Sequence, residues 1–262
     1  GVVEILANTS KTLFAICERA DNRPVAVDRQ WVRNLRNEHN KRIANLQRSV
    51  EDAQPGCDGG IHPNVLLSAI QQFVTGDTIV VTDGGDFLAF ARQILEAPTM
   101  LDPGPFGCIG VGVPFGIAAS LACPGKRVIV ATGDGSFGFN AIEIDTAVRH
   151  QAPLLIIVAN NGAWQIEVHD QQQTYGRVVG TRLQKSYYAD MARAFGMYAE
   201  RIERAEDLAG CIARALENLP ALLDVIVTTD AVSSDAKSGL AQVPDLQALT
   251  AWDEAERLWR SQ

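Results

Sequence analysis

Arg127-Val128-Ile129-Val130-Ala131-Thr132-Gly133-Asp134-Gly135-Ser136 and Leu154-Leu155-Ile156-Ile157-Val158-Ala159-Asn160-Asn161 together decide the fold. Each is a short apolar run, rich in β-branched residues, that ends in small or polar ones, and the stretch between them has helical character from about Asn140 to His150. Strand, helix and strand in that order make a βαβ unit with parallel strands. The expected fold is α/β, an open, doubly wound, mainly parallel sheet with helices on both faces. Ligands of such sheets bind beyond the carboxyl ends of the strands. Asp134 and Asn161, 27 positions apart, both fall there.

A carboxylate, a side-chain amide and free backbone carbonyls are hard oxygen donors, suited to magnesium or calcium and poorly suited to zinc. Magnesium takes few carboxylates and completes its shell with phosphate oxygens and water, so a lone Asp134 between glycines points to a metal shared with a phosphorylated ligand. Gly133 and Gly135 allow close backbone approach, and Ser136 adds a hydroxyl and an N–H. The helix that follows would turn its positive end to the phosphates. A glycine-flanked Asp is also ordinary turn chemistry. Asn161-Gly162 likewise reads as a turn with left-handed backbone, a role compatible with metal binding.

GDG, then 24 residues, then NN resembles the cofactor motif of thiamine diphosphate enzymes. The resemblance runs on through Gly107-Cys108-Ile109-Gly110-Val111-Gly112-Val113-Pro114 and Glu143-Ile144-Asp145-Thr146-Ala147, and covers most of residues 60–230. It is nearest to the branch of acetolactate synthase, benzaldehyde lyase, 2-hydroxyacyl-CoA lyase and oxalyl-CoA decarboxylase. Those chains have pyrimidine-binding, central and diphosphate-binding domains, and this one is similar to the last.

The resemblance implies thiamine diphosphate and Mg2+ as cofactors. Asp134 and Asn161 would bind the metal through their side chains and Ala163 through its carbonyl, while Gly133, Gly135 and Ser136 would hold the diphosphate. Gly107 would accept from the 4'-amino group through its carbonyl. Ile109 would meet the pyrimidine ring with its N–H, and its side chain would be the wedge that bends the cofactor, where many relatives carry Met or Leu. Cys108 is a cofactor contact by position alone, since no neighbouring His supports a nucleophile and a small buried thiol is the commoner case. Gly85, Asp86 and Phe87 lie in the strand-end loop Thr82–Phe87 that contacts phosphate in relatives. Asp86 departs from their neutral or basic residues and would be repelled unless turned away or screened by the metal. Trp164, Gln165 and Ile166 follow the metal loop as candidate pocket residues, with plain packing an equal reading of the aromatic.

The implied activity makes or breaks a C–C bond next to a carbonyl, on 2-oxo acid or 2-hydroxyacyl substrates. Pro105-Phe106-Gly107 leans to the acyl-CoA lyases and Val113-Pro114 to acetolactate synthase. No catalytic residue is assigned within the chain, because in the family the activating Glu comes from a pyrimidine-binding domain or subunit. The chain is expected to be inactive alone and to work in a homo- or hetero-oligomer. Two alternatives stay open. One is a 2-oxoacid oxidoreductase subunit, which clustered cysteines would favour; the other is a non-catalytic module that keeps the fold.

With 262 residues, 47% apolar, 21% charged and a net charge of −8, the chain has material for one sizeable core and no basic surface for nucleic acid. No run reaches the roughly 20 apolar residues of a membrane span, and no signal-peptide pattern opens the chain, so a cytoplasmic address is expected. Five scattered cysteines suit reduced thiols and form no iron–sulfur pattern. His39, His62, His150 and His169 lack metal-ligand spacing and read as solvent-facing or capping, with only His169 near the site.

Residues 1–50 read as the end of a preceding, central domain plus a linker, because the chain opens in a strand-like run, Gly1–Leu6, followed by helices over Thr9–Ala20 and Trp31–Val50. Residues 51–230 form the expected cofactor domain. Within it Val168–Arg182 reads as a mobile polar flap, and residues 231–262 as a tail ending in an amphipathic helix, Leu249–Arg260.

Overall fold

The computed structural model describes residues 4–22, 26–237 and 250–261. The first three residues of the expected strand-like run and Leu249 of the tail helix lie outside the described residues, and Glu4, Ile5 and Leu6 are not in a strand. Contacts divide the chain into two compact units, Gly1–Gln47 and Arg48–Gln262. The first carries α1 (Thr9–Asn22) and the start of α2 (Arg29–Glu51). Asn8 Oδ1 caps α1 by accepting the Lys11 N–H at 3.1 Å, and Asp28 Oδ1 caps α2 by accepting those of Gln30 and Trp31 at 2.9 and 3.0 Å. α2 buries no residue, as its Arg, Asn and Glu content predicts.

The second unit opens with α3 (Pro63–Gln71), where the His62 ring accepts the Asn64 N–H at the cap. It continues through β1 (Thr78–Asp83), α4 (Asp86–Ile94), β2 (Thr99–Leu101), α5 (Gly112–Ala122), β3 (Arg127–Gly133), α6 (Asp134–Phe139) and α7 (Glu143–Arg149). Next come β4 (Leu154–Asn160), α8 (Gln165–Tyr175), α9 (Tyr188–Ala194), β5 (Tyr198–Ile202), α10 (Leu208–Glu217) and β6 (Ala221–Ile226). α11 (Ser234–Lys237) and α12 (Thr250–Arg260) end the described chain. The strands form one sheet in the order β2-β1-β3-β4-β6-β5, every pair parallel. The chain steps from β1 outward to β2, then returns to place β3 on the other side of β1, so the order reverses between β1 and β3. That reversal opens a crevice at their carboxyl ends.

Alternation along the strands sends residues to two cores. Val80, Ile129, Leu155 and Ile157 pack with α3, α4 and α10 on one face. Ile79, Val128, Val130, Leu154 and Ile156 pack with α5, α7 and α9 on the other. Covering both faces explains the near-continuous Val, Ile and Leu runs of the inner strands. α5 sits so close that a Cβ on Gly116 would lie 2.4 Å from Val130 Cγ2 and 2.9 Å from Leu154 Cδ1. Gly116→Val is therefore expected to cost about 2 kcal/mol by overpacking. An unchanged urea midpoint would contradict that packing.

Several elements differ from expectation. The helical stretch between β3 and β4 is two short helices broken at Asn140–Ile142, and the first begins at Asp134 itself. The expected flap at Val168–Arg182 is mostly α8, a polar helix ending at Gly176, followed by a loop that returns to bridge Ala163 and Arg182. α4 replaces the end of the expected Thr82–Phe87 loop. β2 and β5 were not foreseen, since β2 is only three residues and β5 carries Glu200 and Arg201. No helix among the described residues is long and apolar enough to cross a membrane.

Candidate functional site

Three strand ends supply the site. The β3–β4 register pairs Gly133 with Ala159, which sets the GDG turn beside the Asn160-Asn161 turn. Asp134 is buried, with its Oδ2 accepting the Gly162 N–H at 2.7 Å and its Oδ1 the Gly135 N–H at 3.0 Å. Burial drives its carboxyl up to about 7, and those backbone donors only partly oppose the push. Asn161 Oδ1 accepts the Ala163 N–H at 3.0 Å, closing a turn in which Gly162 takes φ +70°, as read from the sequence. A carboxylate, an amide oxygen with a second lone pair and the start of a loop thus meet at two neighbouring strand tips.

These tips line a cleft of about 440 Å³. Of the residues read from the sequence, Gly133, Asp134, Gly135 and Ser136 line it from β3 and α6, and Asn161, Ala163, Trp164, Gln165 and Ile166 from the β4–α8 turn. Gly85, Asp86 and Phe87 line it from α4, and Gly107 and Ile109 from the loop before α5. Cys108, between those two, is exposed and does not line the cleft, which corrects the buried thiol expected there.

Ser136 is buried, and its hydroxyl is engaged within the strand end, donating to the Gly133 carbonyl at 3.0 Å and lying 2.9 Å from Thr132 Oγ1. Trp164 stacks edge-to-face on Phe139 at 5.4 Å, with its ring against Gly135. Packing and pocket lining are both true of it. Gln165 Nε2 donates to the Thr229 carbonyl at 2.8 Å, while its Oε1 is buried without a partner. Asp86 is turned away from the β3 tip: its Oδ1 accepts the Ser233 N–H at 3.3 Å and its Oδ2 lies 4.0 Å from His169. Burial raises its carboxyl, and Ser233 and His169 oppose that rise. His169 is therefore half-buried beside the site and not solvent-facing.

Sequence reasoning missed several lining residues, among them Phe90 and Arg92 of α4 and Val227, Thr228 and Asp235 after β6. It also passed over Asp83, fully buried at the end of β1, whose signal was a second acid in the same loop as Asp86.

The donor set fits a hard divalent cation carried with a diphosphate. The Asp134 carboxyl, raised by burial, is the group such an ion would hold ionised. Fold and site define a domain that grips a phosphorylated cofactor at the switch point of a parallel sheet. Residues 83–225 match the family described as thiamine pyrophosphate enzyme, C-terminal TPP binding domain, and the chain belongs to that family. The family's cofactor is thiamine diphosphate with Mg2+.

Among similar proteins, an acetolactate synthase large subunit of Mycobacterium tuberculosis is 34% identical over 202 residues, covering 75% of this chain and 37% of that protein. A 2-hydroxyacyl-CoA lyase 2 of Caenorhabditis elegans is 29% identical over 206 residues, covering 78% of this chain and 32% of the relative. The chain thus spans about a third of the length of the curated relatives it matches. A solved thiamine diphosphate-dependent 4-hydroxybenzoylformate decarboxylase of Rhodococcus jostii shares the fold, with TM-score 0.62 and 23% identity over 68% of this chain and 34% of that one.

Proposed function

We propose that this chain is the diphosphate- and magnesium-binding part of an enzyme that makes or breaks a C–C bond adjacent to a carbonyl, on 2-oxo acid or 2-hydroxyacyl substrates. The observation that carries the reading is the buried Asp134 carboxylate beside the Asn161 turn, in a cleft that also receives Ile109. Asp134, Asn161 and the Ala163 carbonyl hold the metal, and Gly133, Gly135 and Ser136 cradle the diphosphate. Bound thiamine diphosphate supplies an electron sink for the carbon next to the carbonyl. Ile109 would press on the cofactor, Gly107 would offer its carbonyl to the amino group, and Trp164 and Ile166 would exclude water from the metal end.

The activating Glu comes from a pyrimidine-binding domain or subunit seated over the Gly107–Ile109 loop, in a homo- or hetero-oligomer. Phe106, next to Gly107, and Phe139, against Gly110, support that seat as exposed apolar side chains, at 90% and 59% exposure. We assign residues 1–50 to the end of a preceding domain and linker, 51–230 to the cofactor domain and 231–262 to a tail. Five free cysteines accord with a reducing cytoplasmic setting.

Calorimetry with thiamine diphosphate should show binding heat only with Mg2+, and turnover of pyruvate, or of formyl-CoA with a ketone, only after a pyrimidine-domain protein is added. Turnover by the chain alone would overturn the partner requirement. No magnesium-dependent heat in the reconstituted protein would overturn the whole reading.

A further inference from the structure

We propose that Asp83 is a positioning residue, whose carboxylate, together with the Asn140 amide, clamps Gly110 at its N–H and its carbonyl and so fixes Ile109 as the wedge of the cleft. The proposal rests on the cofactor reading above and extends it to a residue outside the metal and diphosphate contacts.

Asp83 ends β1 and is wholly buried. Its Oδ2 accepts the Gly110 N–H at 2.9 Å and the Gly112 N–H at 2.7 Å, and its Oδ1 accepts the Gly84 N–H at 2.8 Å. On the next peptide unit, Asn140 Nδ2 donates to the Gly110 carbonyl at 2.7 Å. One residue of an irregular loop is thus held at both its donor and its acceptor. The seat is also steric. Gly110 has φ +95°, and a Cβ there would come within 2.7 Å of Phe139 Cβ, so only glycine lets the backbone lie against the α6–α7 turn. Gly112 is similarly tight, with a Cβ placed 3.0 Å from that of Asp83.

A fully buried carboxylate is costly, and here every group that offsets the cost is a main-chain N–H, two of them in loops and one at the first residue of α5. A mere packing role at this position would be filled better by an apolar residue. The fixed point lies one residue after Ile109 and three after Gly107, the two loop residues that face the cleft. Freeing Gly110 would let the Ile109 side chain and the Gly107 carbonyl shift together, while Asp134 and Asn161, on other strands, stayed in place. Wedge and metal grip are therefore separable.

The test uses the full protein with its pyrimidine-domain partner. Asp83→Asn keeps the shape but turns an amide NH2 toward N–H donors. Amide exchange across 107–112 should become about tenfold faster, the loss expected for one charge-assisted hydrogen bond. The near-UV dichroism that bound thiamine diphosphate shows in its bent form should fade, while magnesium-dependent binding heat persists. Asp83→Glu should partly restore the band. Unchanged exchange together with an unchanged band overturns the proposal. If Asp83→Asn does not fold, Asn140→Ala carries the test: loss of the band supports the clamp, and an intact band overturns it. Absence of magnesium-dependent heat in the unaltered protein would instead sink the functional reading, and is told apart by that control.

Discussion

Asp134→Asn is expected to abolish magnesium-dependent binding of thiamine diphosphate, with affinity at least about 100-fold weaker in calorimetry, since even the outer partners of metal ligands are worth 10- to 100-fold. The far-UV spectrum should not change. The carboxylate is the only ionised donor at the β3 and β4 tips, and an amide in its place offers one neutral oxygen to the ion. The pH dependence follows from burial. In the ligand-free protein the folded-state pKa of Asp134, about 7, lies above its ordinary value of 3.8. Its favourable contribution is complete below about pH 4 and is lost as pH rises through about 7.

A divalent ion reverses the sign, because it needs the ionised form. Metal affinity should therefore fall as pH drops below about 7, and Asp134→Asn should lack that slope. Melting curves from pH 4 to 8, with and without Mg2+ and cofactor, check both limbs. Normal magnesium-dependent binding by the variant would remove the basis of the assignment.

The placement of Asp134 and Asn161 at neighbouring strand tips was legible because it is set locally. Asp134 and Asn161 each follow a strand buried on both faces, and such strands announce themselves as apolar runs of fixed length. Parallel neighbours then bring their tips together without further information. The opposite wall was less legible, because it depends on which of two acids faces inward. Asp83 and Asp86 are three residues apart, and their types say nothing about burial. A helix beginning at Asp86, hidden from a reading that took Thr82–Phe87 as a loop, turns that carboxylate toward Ser233 and His169 and leaves Asp83 hydrogen-bonded to the loop before α5.

β5 was hidden for a related reason. It is an edge strand whose charged residues are paired by partners far along the chain: Glu200 with Arg214 at 2.7 Å, and Arg201 with Asp224 at 3.0 Å. A sequence window sees those charges as solvated, whereas the sheet satisfies them from the next strand and helix.

Arg201→Met, at the second of those pairs, is expected to lower stability by about 3 kcal/mol, the low end of the cost of stranding a buried charge, because Arg201 is itself 20% exposed. Asp224 lies in the middle of β6 with no exposed surface. Its Oδ2 accepts from Arg201, whose guanidinium lies over the Tyr187 ring at 4.6 Å, and its Oδ1 accepts from Asn160 Nδ2 at 2.9 Å. Burial already raises the Asp224 carboxyl, and Asn160, Arg201 and the Ala189 N–H restrain it. Without Arg201 the group would be pushed further toward its neutral form, which binds Asn160 less strongly.

The double variant Arg201→Met with Asp224→Leu removes both charges and should recover most of the loss in urea unfolding. Equal losses in the single and double variants would show that packing, not charge, is at stake. The pair also bears on the cofactor. Asn160 Nδ2 donates to the Ser186 carbonyl at 2.8 Å as well as to Asp224, which pins the end of β4 one residue before the Asn161 turn. Weaker magnesium-dependent binding should therefore accompany the single variant at temperatures where it remains folded, because the loosened strand end carries Asn161, one of the two side chains proposed to hold the ion.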